Sequence, residues 1–164
     1  PLEAITAAMA AGRACGARTI LNPAPVREYP ASLLALVDFL VPNEHEAAHL
    51  SGLPTASLVD ANEAAHYFTG KGVPNAIITR GSRGAVWVSP SSSGSVAAYR
   101  VSPIDTVAAG DAFCGGLAAA LASGEPLPEA LRWASAAGAL ATTIAGAVPS
   151  LPTRDAVEQL LADE

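Results

Sequence analysis

Short apolar runs that alternate with helix-forming stretches are the feature that most constrains the fold of this chain. Three such runs occupy residues 19–21, 38–41 and 76–79. Proline follows closely after the first two, at Pro23 and Pro42, and ends regular structure there. Helical patterns occupy residues 2–14, 33–37, 43–50 and 60–70. Short strands that alternate with helices predict an α/β fold with a mainly parallel sheet.

The second half of the chain adds further strands and then helices alone. The predicted strands are 85–88 and 96–101, joined by the Ser/Gly-rich loop 90–94. The predicted helices are 110–121, 128–145 and 153–162. A length of 164 residues fits one domain or two small ones, and the chain has no internal repeats.

Composition and charge exclude several classes of protein. Apolar residues make up 51% of the chain, which is enough for a buried core and excludes general disorder. The net charge of −6 leaves no basic footprint for nucleic acid. No apolar run reaches the roughly 20 residues that cross a bilayer. The two cysteines, Cys15 and Cys114, suit a reducing compartment. We therefore expect a cytoplasmic protein that binds neither nucleic acid nor membrane.

The segment His45-Glu46-Ala47-Ala48-His49 matches the zinc-binding pattern H-E-x-x-H on a predicted helix. Gly52 also stands where the extended pattern has a glycine, but Thr55 occupies the place of its third histidine. A pattern with three fixed positions arises readily by chance, so a solvated helix face is the alternative that we favour. A zinc hydrolase is retained as a remote hypothesis.

Asn43 and Glu46 have two interpretations. They have the spacing of a capping box, with an Asn N-cap and a Glu at the third helical position. The segment 60–63, Asp-Ala-Asn-Glu, has the same form. An amide and a carboxylate where a strand passes into a helix also lie where α/β folds bind ligands.

The segment 105–117 carries the strongest chemical signal. Ala108-Ala109-Gly110 opens a predicted helix without bulky side chains, and a helix N-terminus offers unpaired N–H donors to an anion. Asp111 stands in the first turn, where it either complements the helix dipole or acts as a general base beside a phosphate. No G-x-x-x-x-G-K-[ST] segment occurs, which excludes a P-loop kinase.

The segment 105–113 resembles the signature D-T-x-A-A-G-D-x-F of the ribokinase-like (PfkB) family of carbohydrate kinases. Further motifs similar to those of the family follow its order, at 21–25, 42–46, 79–84 and 146–152. The resemblance spans essentially the whole chain and implies a three-layer α/β/α fold with a mainly parallel central sheet. It also implies that residues 1–164 are the C-terminal part of one such domain, without its N-terminal half and lid.

By this resemblance, Asp111 is the catalytic base that activates the primary hydroxyl of the sugar it binds. The backbone of Ala108, Ala109 and Gly110 is expected to form the anion hole for the γ-phosphate. Gly110 and Asp111 also belong to the expected nucleotide site, whose other residues are Asn43, Thr79, Arg80, Gly81, Ser82, Arg83, Gly84 and Ser135. Ser135 stands where the family usually has a histidine near the adenine.

The resemblance also implies two metal sites. Glu46 is expected to organise Mg²⁺ through water. A monovalent cation, usually K⁺, is expected at the side chains of Asp105 and Ser150 and at four carbonyls, those of Val107, Ala141, Ile144 and Gly146.

The implied function is transfer of the γ-phosphate of ATP to the primary hydroxyl of a pentose. The motifs at 21–25 and 146–152 favour D-ribose, with ribose 5-phosphate as product. The full-length enzyme is expected to be a homodimer. The chain alone is expected to be inactive, for lack of the sugar-binding half, and unstable or aggregated. A nucleotide-binding fragment and another sugar kinase of the family remain alternatives.

Overall fold

The computed structural model describes residues 1–163 as an alternation of helices and strands. The helices are α1 (Leu2–Ala14), α2 (Ala31–Leu34), α3 (Glu44–Ser51), α4 (Leu58–Gly70), α5 (Ala109–Ala122), α6 (Leu127–Ala141), α7 (Ala147–Ser150) and α8 (Arg154–Ala162). The strands are β1 (Ile20–Leu21), β2 (Phe39–Leu40), β3 (Asn75–Thr79), β4 (Ala85–Val88) and β5 (Ser93–Val96). The residues divide into two compact units, the first of residues 1–80 and 86–95 and the second of residues 81–85 and 96–163.

The strands form a sheet in the order β1-β2-β3-β4-β5. β1, β2 and β3 are parallel, with Ile20 opposite Phe39 and Leu40 opposite Ala76. An isolated parallel bridge between Asn43 and Thr79 continues the β2–β3 pairing beyond the carboxyl end of β2. The predicted α/β fold with a mainly parallel sheet is therefore confirmed for these strands.

Asp38 holds the amino ends of the first three strands in register. Its Oδ2 accepts hydrogen bonds from the backbone N–H of Thr19 at 2.8 Å and from the Thr19 hydroxyl at 3.0 Å. Arg13 of α1 pairs with its Oδ1 at 3.1 Å. Asn75 donates its side-chain amide to the Asp38 carbonyl at 2.8 Å. One aspartate therefore ties together a helix and the starts of three strands.

The core of the first unit lies between its strands and the small side chains of α4. Ala61, Ala64 and Ala65 of α4 are fully buried, and Phe68 is nearly so. The buried side chains packed with them come mainly from the strands: Leu21, Leu40, Ala76, Ile78, Val86 and Val88. Alanines on this face let α4 approach the sheet closely, which explains the Ala-rich composition of the helix.

In the second unit, α5 and α6 pack at very short range through Gly116. A Cβ at Gly116 would lie 2.9 Å from the Ala137 Cβ, 3.1 Å from the Ala134 Cα and 3.1 Å from the Trp133 carbonyl oxygen. Gly115 next to it has no such neighbour. Of these two neighbouring glycines, Gly116 is therefore the one that permits the close packing.

The predicted helix 128–145 is too long at its end. α6 ends at Ala141, because the hydroxyls of Thr142 and Thr143 donate to the carbonyls of Ala139 and Leu140 at 2.7 Å each. These side-chain bonds compete with continued helical pairing. The four-residue helix α7, which follows at Ala147–Ser150, was not predicted.

The predicted strand 96–101 and loop 90–94 are also displaced. β5 occupies Ser93–Val96, so the strand begins inside the Ser/Gly segment and ends where it was expected to start. Beyond Val96 the chain turns to α6, where the Ala97 carbonyl accepts the Ser135 hydroxyl at 2.8 Å and Tyr99 packs against the α6–α8 cluster. Pairing with a helix therefore replaces strand pairing.

Two helix starts differ from the sequence prediction. The capping box assigned to 60–63 lies at Ser57 and Asp60, which makes Asp60 the third helical residue instead of the N-cap. The short helix predicted at 33–37 is α2, and it begins after Pro30 and ends at Leu34. The capping box at Asn43 and Glu46 is confirmed.

Among the residues that the structure describes, none of the helices has both the length and the apolar character that crossing a membrane requires.

Candidate active site

The start of α5 combines an unusual backbone conformation with an uncapped first turn. Ala108 precedes the helix with φ 62° and ψ 6°, a left-handed conformation that is unusual for a residue with a side chain. No side chain caps the first turn of α5, and Asp111 lies exposed in that turn. Strain of this kind persists where the surrounding structure enforces it and is common at functional sites. The turn therefore presents backbone donors and a carboxylate together.

Gly138 of α6 packs against the first turn of α5. A Cβ at Gly138 would lie 3.2 Å from the Ala109 carbonyl oxygen and 3.5 Å from the Phe113 Cβ. The first turn of α5 can therefore approach α6 this closely only because position 138 lacks a side chain. Sequence reasoning missed this residue, since a glycine within an Ala-rich helix gives no signal of what it contacts.

Asp105 connects the loop before α5 to the loop after α6. Its carboxylate accepts the N–H of Gly146 at 2.9 Å and the N–H of Val107 at 3.0 Å. These bonds, with that from Gly146 the stronger, lower the pKa of Asp105 below its usual 3.8. The backbone N–H groups of Ile104 and Asp105 also bond the Thr142 carbonyl, at 2.7 and 3.1 Å. The structure thus brings together Asp105, Val107 and Gly146, three of the residues expected to hold a monovalent cation.

The other residues expected to hold the cation lie at the end of α6 and in the segment that follows it. Ala141 is the last residue of α6, and Ile144 lies exposed between it and Gly146. Ser150 is buried, with 1% of its surface exposed, and its hydroxyl donates to the Ala147 carbonyl at 2.8 Å. The Ser150 oxygen therefore keeps a lone pair with which it could accept or coordinate.

In the first unit, Asn43 and Glu46 hold each other at the start of α3. The Asn43 side-chain oxygen accepts the Glu46 N–H at 2.9 Å, and Glu46 Oε2 accepts the Asn43 N–H at 2.8 Å. Asn43 also bridges to Thr79 at the carboxyl end of β3. The capping interpretation and the ligand interpretation are thus compatible, because one carboxylate oxygen of Glu46 remains outside the capping box.

Arg80 is placed differently from what a nucleotide-binding side chain requires. It is 8% exposed, and it pairs with Glu44 at 3.1 Å and donates to the Ala56 carbonyl at 3.2 Å. Its guanidinium is therefore committed to the loop before α4, which leaves only its backbone for a nucleotide.

The turn that follows, Gly81–Arg83, is a short 3₁₀ segment in the second unit. Ser82 and Arg83 are exposed. Gly84 closes the turn at φ 83°, and a Cβ there would lie only 1.9 Å from the Val96 carbonyl oxygen, so this position requires glycine. Ser135, also in this unit, is buried, and its hydroxyl donates a hydrogen bond to the Ala97 carbonyl.

Comparison with protein families assigns the chain to a known family. The family described as "pfkB family carbohydrate kinase" matches residues 1–154. The chain belongs to the pfkB family. This establishes the ribokinase-like fold class that the sequence motifs predict.

Curated relatives within the pfkB family include ribokinases. The ribokinase of Staphylococcus aureus is 37% identical over 161 residues, which are 98% of this chain and 53% of that protein. The deoxyribokinase of Salmonella typhi is 34% identical over 162 residues, with the same two shares. The chain therefore spans about half the length of the curated relatives it matches.

Solved structures of pfkB-type kinases share the fold. The Arabidopsis thaliana ribokinase complexed with ribose and ATP superposes with a TM-score of 0.92 at 30% identity, over 98% of this chain and 53% of that one. Phosphofructokinase-2 of Escherichia coli in complex with potassium gives 0.83 at 26% identity, over 99% and 52%. A candidate ribokinase II of E. coli with ATP and Mg²⁺ gives 0.82 at 27% identity, over 99% and 54%.

The pfkB motif at Asn43 and Glu46 overlaps the zinc-like pattern, and the structure does not favour zinc. Within residues 1–163, no three His, Cys, Asp or Glu side chains gather as they would around a metal ion. Gly52, which the extended zinc pattern shares, ends α3 at φ 72°. Thr55 is buried and donates to the Glu44 carbonyl at 2.9 Å. Both residues thus have structural reasons to be present.

Proposed function

We propose that this chain supplies the catalytic base and nucleotide-binding segments of an ATP-dependent sugar kinase, with D-ribose as the acceptor. The start of α5 carries the proposal. It combines an uncapped helix N-terminus, the left-handed Ala108 and the exposed Asp111 in one turn. A carboxylate that merely complemented the helix dipole would not require the strained residue before it.

In the proposed reaction, the Asp111 carboxylate accepts the proton of the sugar's primary hydroxyl. The hydroxyl oxygen then forms a bond to the γ-phosphorus, while the bond from that phosphorus to the β,γ-bridging oxygen breaks and ADP leaves. The N–H groups at the start of α5, from Ala108 to Gly110, stabilise the charge on the transferring phosphoryl group, and for this the Ala109 N–H gives up its long bond of 3.3 Å to the Thr106 carbonyl. Positioning and charge stabilisation supply most of the rate in reactions of this class.

The nucleotide is assigned to the remaining motif residues. Asn43 and Thr79 offer polar groups at the carboxyl ends of parallel strands, where α/β folds bind ligands. Gly81, Ser82, Arg83 and Gly84 offer an exposed turn with a fixed backbone, and Arg80 contributes its backbone alone. Ser135 is assigned to the adenine side, where its hydroxyl donates to the Ala97 carbonyl and its oxygen keeps a lone pair.

The residues present fit the two metal ions. Ionised Asp105, with its lowered pKa, lies beside Val107 and Gly146, and their carbonyls with those of Ala141 and Ile144 suit K⁺. Ser150 would complete the set. A bound K⁺ would add positive charge near the anion-binding turn. Glu46 retains one carboxylate oxygen for water on Mg²⁺, which would neutralise phosphate charge.

Ribose is favoured as the acceptor because of the relatives. Ribokinases are among them at 37% identity, and the Arabidopsis ribokinase structure holds ribose and ATP. A deoxyribokinase at 34% identity makes a neighbouring sugar the main competitor.

The test is an acceptor assay on a kinase in which residues 1–164 are completed by the portion that relatives have in addition. ADP release is measured with ribose, 2-deoxyribose and fructose 6-phosphate. We expect kcat/KM to be highest for ribose. A preference for either competitor would contradict the ribose assignment, and no ADP release with any sugar would contradict the kinase function.

A second candidate, a nucleotide-binding fragment without activity, is favoured by the share of 53% that the chain covers in its relatives. The acceptor assay separates the two when it is combined with calorimetric titration of the chain alone with ATP and Mg²⁺. Under this candidate, ATP binds to the chain alone, and completion of the domain adds no sugar phosphorylation.

A further inference from the structure

A cavity of about 410 Å³ opens on the surface of the first unit, and its lining includes none of the residues assigned to the kinase site. The lining comes from the segment before α2, from α2, β2 and α3, and from the end of α4. Sites for small molecules typically measure about 300–1,000 Å³. The cavity therefore has the size of a site for a small organic compound.

The cavity lies over the middle of the strands that this chain contributes. Leu40 of β2 is part of the lining, and β2 pairs with β1 on one side and with β3 on the other. All the lining residues fall between positions 28 and 71, so one continuous segment of the chain forms the cavity. An unpaired sheet edge, at which the sheet of a longer relative would continue, is therefore not what opens it.

Apolar and aromatic side chains form the floor of the cavity. Leu40 and Phe68 are buried, and Tyr29 and Tyr67 pack partly buried against the same core. The Tyr67 and Phe68 rings meet edge to face, with their centroids 5.5 Å apart and an angle of 80° between their planes. Three aromatic rings at one cavity favour an aromatic ligand, because ring pairs gain energy beyond the area that they bury.

The rim of the cavity carries groups of both charges. Glu28 lies in the segment before α2, His49 in the last turn of α3 and Lys71 at the end of α4, and all three are exposed. The Lys71 ammonium lies over the Tyr67 ring, 5.2 Å from its centroid. Within residues 1–163, neither the Glu28 carboxylate nor the Lys71 ammonium forms an ion pair. A positive and a negative group at the rim are thus available to a ligand.

We propose that this cavity binds an aromatic amino acid as its zwitterion. The aromatic ring of the ligand lies on the floor of the cavity. Lys71 and an N–H group of the His49 ring face the α-carboxylate, and Glu28 faces the α-ammonium group. A ligand with a single charge would pair with only one side of this rim, and a ligand without a ring would leave the floor exposed to water. The site is separate from the proposed phosphoryl transfer and does not depend on it.

The experiment is isothermal titration calorimetry, without ATP or sugar, on the kinase in which residues 1–164 are completed by the portion that relatives have in addition. The probes are L-tryptophan, tryptamine, which lacks the carboxylate, indole-3-propionate, which lacks the ammonium group, and L-alanine, which lacks the ring. The variants are Glu28→Gln and Lys71→Gln. The matched control is Glu63→Gln, because Glu63 is exposed on α4 and lies outside the lining. Circular dichroism first verifies that all three variants keep the wild-type helix content.

We expect L-tryptophan to bind the wild type and the control with the same Kd, and more tightly than the other three probes bind. Lys71→Gln should raise the Kd for L-tryptophan about five- to tenfold, because the carboxylate loses its cation, and should not weaken the binding of tryptamine. Glu28→Gln should raise the Kd for L-tryptophan by a similar factor and should not weaken the binding of indole-3-propionate.

Absence of L-tryptophan binding to the wild type would overturn the proposal. A Kd for L-tryptophan that neither variant changes would also overturn it, since the amino acid would then occupy another site. Equal Kd values for L-tryptophan and its two singly charged analogues would refute recognition of the zwitterion. Phosphoryl transfer takes no part in these titrations, so the site can fail while the proposed kinase function stands, and the kinase function can fail while the site stands.

Discussion

The two neighbouring glycines of α5 provide a test of how closely α5 and α6 pack. Both positions are helical and both change to alanine, so the intrinsic gain in helix propensity is the same. A Cβ added at Gly115 would have no atom within 4 Å, whereas a Cβ at Gly116 would lie 2.9 Å from the Ala137 Cβ and 3.1 Å from backbone atoms of α6.

The expected magnitudes have opposite signs. Gly115→Ala should stabilise the chain by about 0.5–1 kcal/mol, because alanine loses less backbone entropy in a helix. Gly116→Ala has the same gain, but two of its three obstructing atoms belong to the α6 backbone and can yield only if the helices separate. Overpacking of this kind costs about 1–3 kcal/mol. At the upper end of that range the net loss is about 2 kcal/mol, after the gain in helix propensity of about 1 kcal/mol.

The assay is urea unfolding of the completed kinase followed by circular dichroism, because the chain alone is expected to be unstable. The free energies of unfolding of the two variants should differ by about 3 kcal/mol. Gly116→Ala as stable as Gly115→Ala would refute the close approach of α5 and α6. So would two variants that destabilise the chain equally.

Two further predictions concern the first unit. Asp38→Ala should destabilise the chain by about 1–3 kcal/mol, because it leaves the buried backbone N–H of Thr19 without its acceptor, whereas the Thr19 hydroxyl keeps the Leu36 carbonyl. Arg13→Gln removes only the half-exposed ion pair and should lower the free energy of unfolding by less than about 1 kcal/mol. A lower urea midpoint for Arg13→Gln than for Asp38→Ala would contradict the role of Asp38. The pKa of Asp60 lies below its usual 3.8, because the backbone N–H of Ser57 and then its hydroxyl bond the carboxylate. A carboxyl group whose pKa is lowered by folding stabilises the fold when it is ionised, and this stabilisation is lost as the pH falls below 3.8. As the pH decreases below 3.8, the urea midpoint of the wild type should therefore decrease more steeply than that of Asp60→Asn. Parallel pH profiles of the two proteins would contradict this.

Local patterns allowed correct prediction wherever one physical signal dominated. The uncharged β-branched run at 76–79 can bury both faces, and it forms the central part of β3. Asn43 and Glu46 form the capping box that their spacing indicates. The start of α5 was predictable because small residues, a helix onset and a first-turn aspartate coincide.

The predicted ends of helices were wrong where a side chain can form hydrogen bonds with more than one partner. Ser57 and Asp60 could each have served as N-cap, and the reciprocal bonds to Ser57 decided between them. Thr142 and Thr143 end α6 by bonding back to its carbonyls, although the surrounding residues are good helix formers. Neither choice is visible in periodicity.

The candidate site was predictable in its residues and less so in their contacts. The Asp105 carboxylate bonds the N–H groups of Val107 and Gly146, and the role of these three residues in holding a cation stays a prediction. Arg80 lies in the motif, but its guanidinium pairs with Glu44 at the start of α3 and donates to the Ala56 carbonyl, contacts between distant residues that no local pattern describes. Gly138 contributes through the absence of a side chain, so only the helix packing reveals it.

The central claim is that Asp111 is the base in phosphoryl transfer, and its most direct test is the rate of ribose phosphorylation by the completed kinase. Asp111→Asn keeps the size of the side chain and removes its charge. The control is Asp155→Asn, since Asp155 also stands exposed in the first turn of a helix, α8. The account predicts a kcat lower by about 10²–10⁴-fold for Asp111→Asn, with unchanged Kd for ATP, and wild-type kinetics for the control. A kcat for Asp111→Asn equal to that of the control would show that Asp111 only complements the dipole of its helix.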